Sequence, residues 1–246
     1  MRKKTTIHIG TSGWHYKHWA NNFYPKNLKS DQFFAYYLKK FNTVEINNSF
    51  YQLPQKNTLQ EWERKAPNDF IFSVKASRYI THLKKLKDPQ ESTKKFFKAI
   101  KPLGEKIGPI LFQLPPAWKL NAERLENFLK ILPKNYKYTF EFRNSKWFDQ
   151  EIYQLLKKHN AAFCIYDLAG NLSPEKVTAD FIYVRLHGPG KAYQGDYGKR
   201  KLKNWAKHFS RWRKNKKEIF CYFDNDQAGF AAKNALELKK LIDESS

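Results

Sequence analysis

The chain has 246 residues, 41% of them hydrophobic and 17% aromatic, and carries a formal net charge of +23 at pH 7. That balance excludes a disordered chain, which lacks the apolar surface to offset its ordering entropy. Two cysteines, no CxxC pair and no long apolar run exclude a disulfide scaffold, a cysteine-held zinc site and a membrane span.

The first β-type run is Thr6-Ile7-His8-Ile9-Gly10, directly after the basic start Met1-Arg2-Lys3-Lys4, with no apolar segment that would act as a signal. Ser30-Asp31 then caps a helix with Phe33, Phe34, Tyr37, Leu38 and Phe41 on one face. Val44-Glu45-Ile46-Asn47 is the second strand, and Thr58-Leu59-Gln60-Glu61 reads as a capping box leading to Trp62. Phe70 to Lys75 forms the third strand. Asp88-Pro89 starts a helix with Pro at its first position and Phe96, Phe97 and Ile100 inward. Ile110 to Gln113 and Tyr138 to Arg143 are the next strands, with helices expected over 121–132 and 149–159. Phe163 to Asp167, Ile182 to His187 and Ile219 to Asp224 complete a set of eight. Helices over 201–214 and 229–242 follow the last two, while the stretch from Asn171 to Ala179 is too short for a full one.

Strand–helix alternation argues for parallel pairing, and about 250 residues is the usual size of a (β/α)8 TIM-type barrel. A doubly wound open sheet would carry apolar strands, with ligand groups in loops at one switch point. Here most strands end in a charged or amide side chain, and an ion in a dry interior is very costly. The expected fold is therefore a single TIM-type barrel domain over residues 1–246, irregular between strands six and seven, with a polar site at the C-terminal rim.

Residues two apart in a strand share a face. Glu45 with Asn47, Glu141 with Arg143, and Arg185 with His187 thus point together. The inward set holds Glu45, Glu141, Asp167 and Asp224 against Lys75, Arg143, Arg185 and His187, joined by Gln113 and Asn225. A closed ion network is the bland account, but desolvation makes such networks poor stabilisers, and converging ionisable groups mark functional sites. Trp14, Trp118 and Trp147 follow strands closely, and Trp14 and Trp147 are candidate stacking platforms for a base or sugar. The segment His187 to Arg200 holds four of the ten glycines. Its Gly188 and Tyr193, with Lys191, Lys199 and Arg200, suit phosphate binding or a lid. His8, His15, His18, His82, His159 and His208 are expected to be structural or exposed, although His15 and His82 fall in rim loops.

No cofactor is expected. Oxygen ligands such as Asp224-Asn225-Asp226 admit Mg2+ or Mn2+, although no HxH or HExxH spacing is present. The charge favours an anionic small molecule or nucleic acid as partner. Its dominance by 37 Lys over 9 Arg also fits a plain compositional bias. No membrane or protein partner is expected, and buried thiols suit a reducing cytoplasm.

The ordered motifs Gly10-Thr11-Ser12-Gly13-Trp14, Phe23-Tyr24-Pro25, Val44-Glu45-Ile46-Asn47 with Phe50-Tyr51, Ile80-Thr81-His82, Gln113-Leu114-Pro115-Pro116, Glu141-Phe142-Arg143, Arg185-Leu186-His187-Gly188 and Tyr222-Phe223-Asp224-Asn225-Asp226 with Ala228 resemble the YecE-like family, domain of unknown function seventy-two. The resemblance runs from Ile9 to about Leu241. It departs at Asp224, where the family usually has Asn, and at Asn144, where it often has His. It implies a TIM-type barrel and supplies no reaction; its likeness to metal-dependent DNA-repair endonucleases is fold-level analogy.

The function expected from the residues is a hydrolase or lyase acting on a phosphate-bearing substrate. Arg143, Arg185 and Lys75 hold the anion, Glu141 or Glu45 is the general base, His187 the proton donor, and Asp167 a further catalytic candidate. A non-catalytic binder of nucleic acid or an anionic metabolite is the alternative.

Overall fold

The structure is a computed structural model that describes residues 6–244; the basic start Met1 to Lys4 lies outside them. The strands are β1 (Ile7–Thr11), β2 (Thr43–Ile46), β3 (Ile71–Lys75), β4 (Ile107–Leu114), β5 (Tyr138–Phe142), β6 (Ala162–Leu168), β7 (Asn171–Leu172), β8 (Phe181–Leu186) and β9 (Glu218–Phe223). Between them lie α1 (Phe33–Leu38), α2 (Asn48–Tyr51), α3 (Lys56–Lys65), α4 (Gln90–Ile100), α5 (Ala122–Ile131), α6 (Gln150–Lys158), α7 (Gly198–Lys214) and α8 (Phe230–Asp243). The fold is α/β, a nearly closed barrel of eight parallel strands of TIM type.

The chain forms two compact units. The first comprises Met1–Glu45, Ile165–Glu175 and Asp180–Ser246. In it β1 pairs with β9 from Ile7↔Ile219 to Thr11↔Phe223, and β9 with β8 from Phe181↔Glu218 to Leu186↔Phe223, all parallel. Beyond β1, Ser12 bridges Glu45 of β2. The short connection after β6 contains no helix. It turns back as β7, antiparallel to β6 through Asp167↔Leu172. Outside the strands, α7 buries Leu202, Trp205, Phe209 and Trp212, a 3–4 spacing that lines one helical face.

The second unit comprises Ile46–Cys164 and Lys176–Ala179. Here β3, β4, β5 and the start of β6 pair in parallel, with Gln113 opposite Glu141 and a bulge in β3 between Phe72 and Val74. Asn121 caps α5 by accepting from Arg124 N at 2.8 Å, and Asp149 caps α6 through Glu151 N at 2.8 Å. α4 buries Thr93, Phe96 and Ile100, while Phe97 is half-buried and stacks on Tyr136.

Three helix starts differ from the sequence reading. Ser30–Gln32 is a 3-10 turn, and α1 proper begins at Phe33 and ends at Leu38. α3 begins at Lys56 with Gln55 as its N-cap, so Thr58 and Glu61 lie inside the helix and do not flank its first turn as a capping box. Pro89 is the N-cap of α4 rather than its first residue, and Thr93 N and Oγ1 both donate to its carbonyl.

Candidate active site

In the first unit the ends of β1, β2, β8 and β9 bring Ser12, Glu45, Tyr183, Arg185, His187 and Asp224 together. Glu45 is fully buried. Its Oε1 accepts from Arg185 Nη2 at 2.7 Å and from the Ser12 hydroxyl, and its Oε2 accepts from Tyr183 OH at 2.6 Å. Three donors hold the carboxylate in place, and Glu45 thereby anchors Arg185. Arg185 in turn donates through Nη2 to Ser12 Oγ at 3.2 Å and Asp224 Oδ2 at 3.3 Å. Its Nη1 lies 3.3 Å from His187 Nε2, and His187 Nδ1 lies 2.9 Å from Asp224 Oδ2. Arginine is only a donor. Nε2 therefore accepts, and Nδ1 carries the hydrogen given to Asp224. This assigns a neutral His187 tautomer from its partners. Among these charged groups the Asp224 side chain reaches solvent, at 16% exposure, while Glu45 and His187 are at 0%.

The glycine-rich segment after β8 is tied down rather than loose. A Cβ at Gly188, whose φ is +129°, would overlap the carbonyl oxygens of Lys191 and Gln194, so glycine lets the backbone cross itself there. The Gly188 N–H donates to Tyr197 OH at 3.1 Å, which commits the loop amide expected to meet phosphate. Tyr193 N donates to the His187 carbonyl, and the Tyr193 ring sits edge-on to the imidazole at 5.4 Å. Asn225, buried, donates to Gly195 O and Asn234 Oδ1 at 2.8 Å each and so fixes the loop. Asp167, at the end of β6, is also buried. Burial pushes its carboxyl upward, against the pull of Lys201, the Gly170 N–H and the Tyr197 hydroxyl.

Beside Asp224 in sequence, Asp226 accepts from the Trp19 indole and from His18 Nε2 at 2.9 Å. Burial pushes its carboxyl up to about 6, while the Trp19 and His18 contacts pull it down and Asp224 adds to the rise.

The second unit holds the remaining charged and amide residues of the expected site. Glu141, fully buried, accepts from Arg143 Nε and from Cys164 Sγ at 3.6 Å. Gln113 Nε2 lies 3.5 Å from His82 Nε2. Lys75 Nζ sits 4.3 Å over the Phe50 ring, and that ring meets His82 edge-on at 4.9 Å. Asn47 follows β2 as the N-cap of α2, and its buried Oδ1 meets no hydrogen-bond donor among the described residues.

Trp14 and Trp147 do not present stacking faces. Trp14 packs on Phe34 at 4.8 Å, and Trp147, fully buried, stacks on Phe142 at 5.0 Å and donates to the Trp118 carbonyl at 2.9 Å. Large rings beside strand ends gain more from packing than from solvent. Tyr183, Ser12 and His82 are the site-lining residues that pattern reading passed over. Among the described residues no group of three or more His, Cys, Asp or Glu is arranged to hold a metal ion. Among them, too, no helix is long and apolar enough to cross a membrane.

Comparison with known proteins places these features in a family. The model of the family described as "Protein of unknown function DUF72" matches residues 8–246. The UPF0759 protein YunF of Bacillus subtilis (strain 168) is 26% identical over 270 residues, covering 96% of this chain and 95% of that protein. The UPF0759 protein YecE of Escherichia coli (strain K12) is 28% identical over 143 residues, covering 58% of this chain and 50% of that protein. A DUF72 family protein of Thermotoga maritima MSB8, known from its crystal structure, superposes with a TM-score of 0.88 at 32% identity, covering 96% of this chain and 99% of that one.

Proposed function

We propose that this chain, which belongs to the DUF72 family of proteins of unknown function, is a cytosolic acid–base enzyme of hydrolase or lyase type acting on a phosphate-bearing substrate. The observation that carries the reading is the ordered sequence Glu45–Arg185–His187–Asp224, in which a buried cation and a neutral imidazole aim one partly exposed carboxylate. Asp224 takes the substrate proton as general base and returns it to the leaving group as general acid. His187 Nδ1–H and Arg185 Nη2 hold that carboxylate in one orientation. The net charge of +23 and the exposed Lys191, Lys199 and Arg200 beside the loop support an anionic substrate. Two free, buried thiols support a reducing compartment.

The test is a turnover screen against phosphate monoesters and diesters, followed by Asp224→Asn and His187→Gln on whatever is turned over. Positioned acid–base groups contribute about 10²–10⁴-fold, so each variant is expected to lose about a hundredfold or more in kcat. Undiminished turnover in both removes the assignment.

The full burial of Arg185 and His187 favours a second reading, a non-catalytic binder of nucleic acid or an anionic metabolite. It predicts affinity for single-stranded oligonucleotides that falls steeply with salt, with no turnover of any ester. Titration at two salt concentrations separates the two readings.

A further inference from the structure

His82 lies in a π-helix, Tyr79–Leu83, a rare backbone form that recurs at functional sites. Its Nδ1 meets Thr81 Oγ1 at 2.9 Å, Gln113 Nε2 faces its Nε2 at 3.5 Å, and the Phe50 ring contacts both it and Lys75. Arg143, 8% exposed, stands two residues beyond Glu141 and engages it. Arg78, exposed, flanks the π-helix. The cations whose charge acts on His82 are Lys75 from β3, Arg78 from the turn and Arg143 just after β5, the last held by Glu141. That set is net positive. Burial first, then Lys75, Arg78 and Arg143, push the imidazole down to about 4, so the ring is neutral at physiological pH.

We infer that Lys75, Arg78, His82, Gln113 and Arg143 form a binding site for a phosphate monoester dianion, which draws a proton onto His82 when it binds. A monoester carries a charge of about −1.5 to −2 near neutrality with three strong acceptor oxygens. It matches three cations and an amide better than a diester with its single charge. An anion among those cations reverses the field at His82 and favours the imidazolium, which adds one more donor to the phosphate. Binding and protonation then reinforce each other. The inference shares with the reading above only the premise that the ligand carries phosphate, and it uses no residue of the Asp224–His187 pair.

The test follows the His82 imidazole by NMR across a pH titration of the full chain, in inorganic phosphate and in chloride at equal ionic strength. Phosphate is expected to raise the His82 midpoint from about 4 by about one to three in pKa. Arg78→Ala, at an exposed position, is expected to raise the midpoint of the free protein and to weaken phosphate binding about tenfold, the equivalent of about 1.4 kcal/mol. His82→Gln is expected to bind phosphate without proton uptake. A His82 midpoint identical in phosphate and chloride overturns the inference, as does unchanged phosphate affinity in Arg78→Ala. Failure of the acid–base reading looks different: turnover survives in Asp224→Asn while His82 still responds to phosphate.

Discussion

The Tyr183 hydroxyl donates to Glu45 Oε2 at 2.6 Å, with both side chains fully buried and 138 positions apart in the chain. Burial, then the adjacent Glu45 charge, push this phenol far above its ordinary range and keep it a donor. Removing a partner from a buried polar group costs about 1–3 kcal/mol, so Tyr183→Phe is expected to lose that much stability. Glu45→Ala removes the closer of the two carboxylates on Arg185 Nη2, leaving Asp224 at 3.3 Å, and is expected to cost about 3–5 kcal/mol. Urea unfolding of the two variants reads both values. Equal and small losses would mean that Glu45 does not anchor Arg185.

Gly188→Ala places a methyl group on two backbone carbonyls at a φ of +129°. Such a backbone costs about 1–3 kcal/mol for a residue with a side chain, and the overlap adds to it. The expected outcome is a lower melting temperature together with faster proteolysis between Pro189 and Tyr197. A variant with wild-type melting and cleavage would contradict the crossing of the loop on itself.

Asp226 supplies a pH dependence with a definite sign. Its folded midpoint near 6 lies above the ordinary 3.8, so the folded chain keeps a proton that the unfolded chain has released. Stability therefore falls as pH rises from about 4 to about 6, and the loss persists at neutral pH. Asp226→Asn is expected to gain about 1–3 kcal/mol over the wild type at pH 7 and to match it below about pH 4. His82 acts in the opposite sense. Its midpoint near 4 lies below 6.5, so stability rises with pH across that interval. Paired wild-type and variant unfolding curves isolate each group.

Trp147 is expected to behave as core. Trp147→Ala should cost about 3–5 kcal/mol, whereas Trp147→Phe should keep the stack on Phe142 and leave phosphate affinity unchanged. A binding defect in the fully folded Phe variant would return this ring to the ligand site.

The eight main strands and the first-unit site were legible for one reason: a charged side chain ending an apolar run must find partners, and Glu45, Arg185, His187 and Asp224 find one another. Tyr183 was not legible, because an aromatic inside an apolar strand looks like core until its hydroxyl is placed. His82 was passed over because a loop histidine has no periodicity to say what it faces, and its neighbours come from β3, β4 and β5. Trp14 and Trp147 were placed correctly along the chain but not in depth, since spacing gives order and not burial. The Thr58–Glu61 pattern failed because Lys56 and Asn57 tolerate helix, which let α3 start three residues earlier.

Both cysteines lie in the dry interior. Cys164 is directed at Glu141, and the Cys221 thiol is pushed well above its ordinary range by burial and then by Glu45. Thiol-reactive dyes attack the thiolate, so the native molecule offers them no ready target. Tyr51→Cys, at a side chain 73% exposed and next to Phe50, would therefore accept a single fluorophore and turn occupancy of the inferred phosphate site into an optical signal.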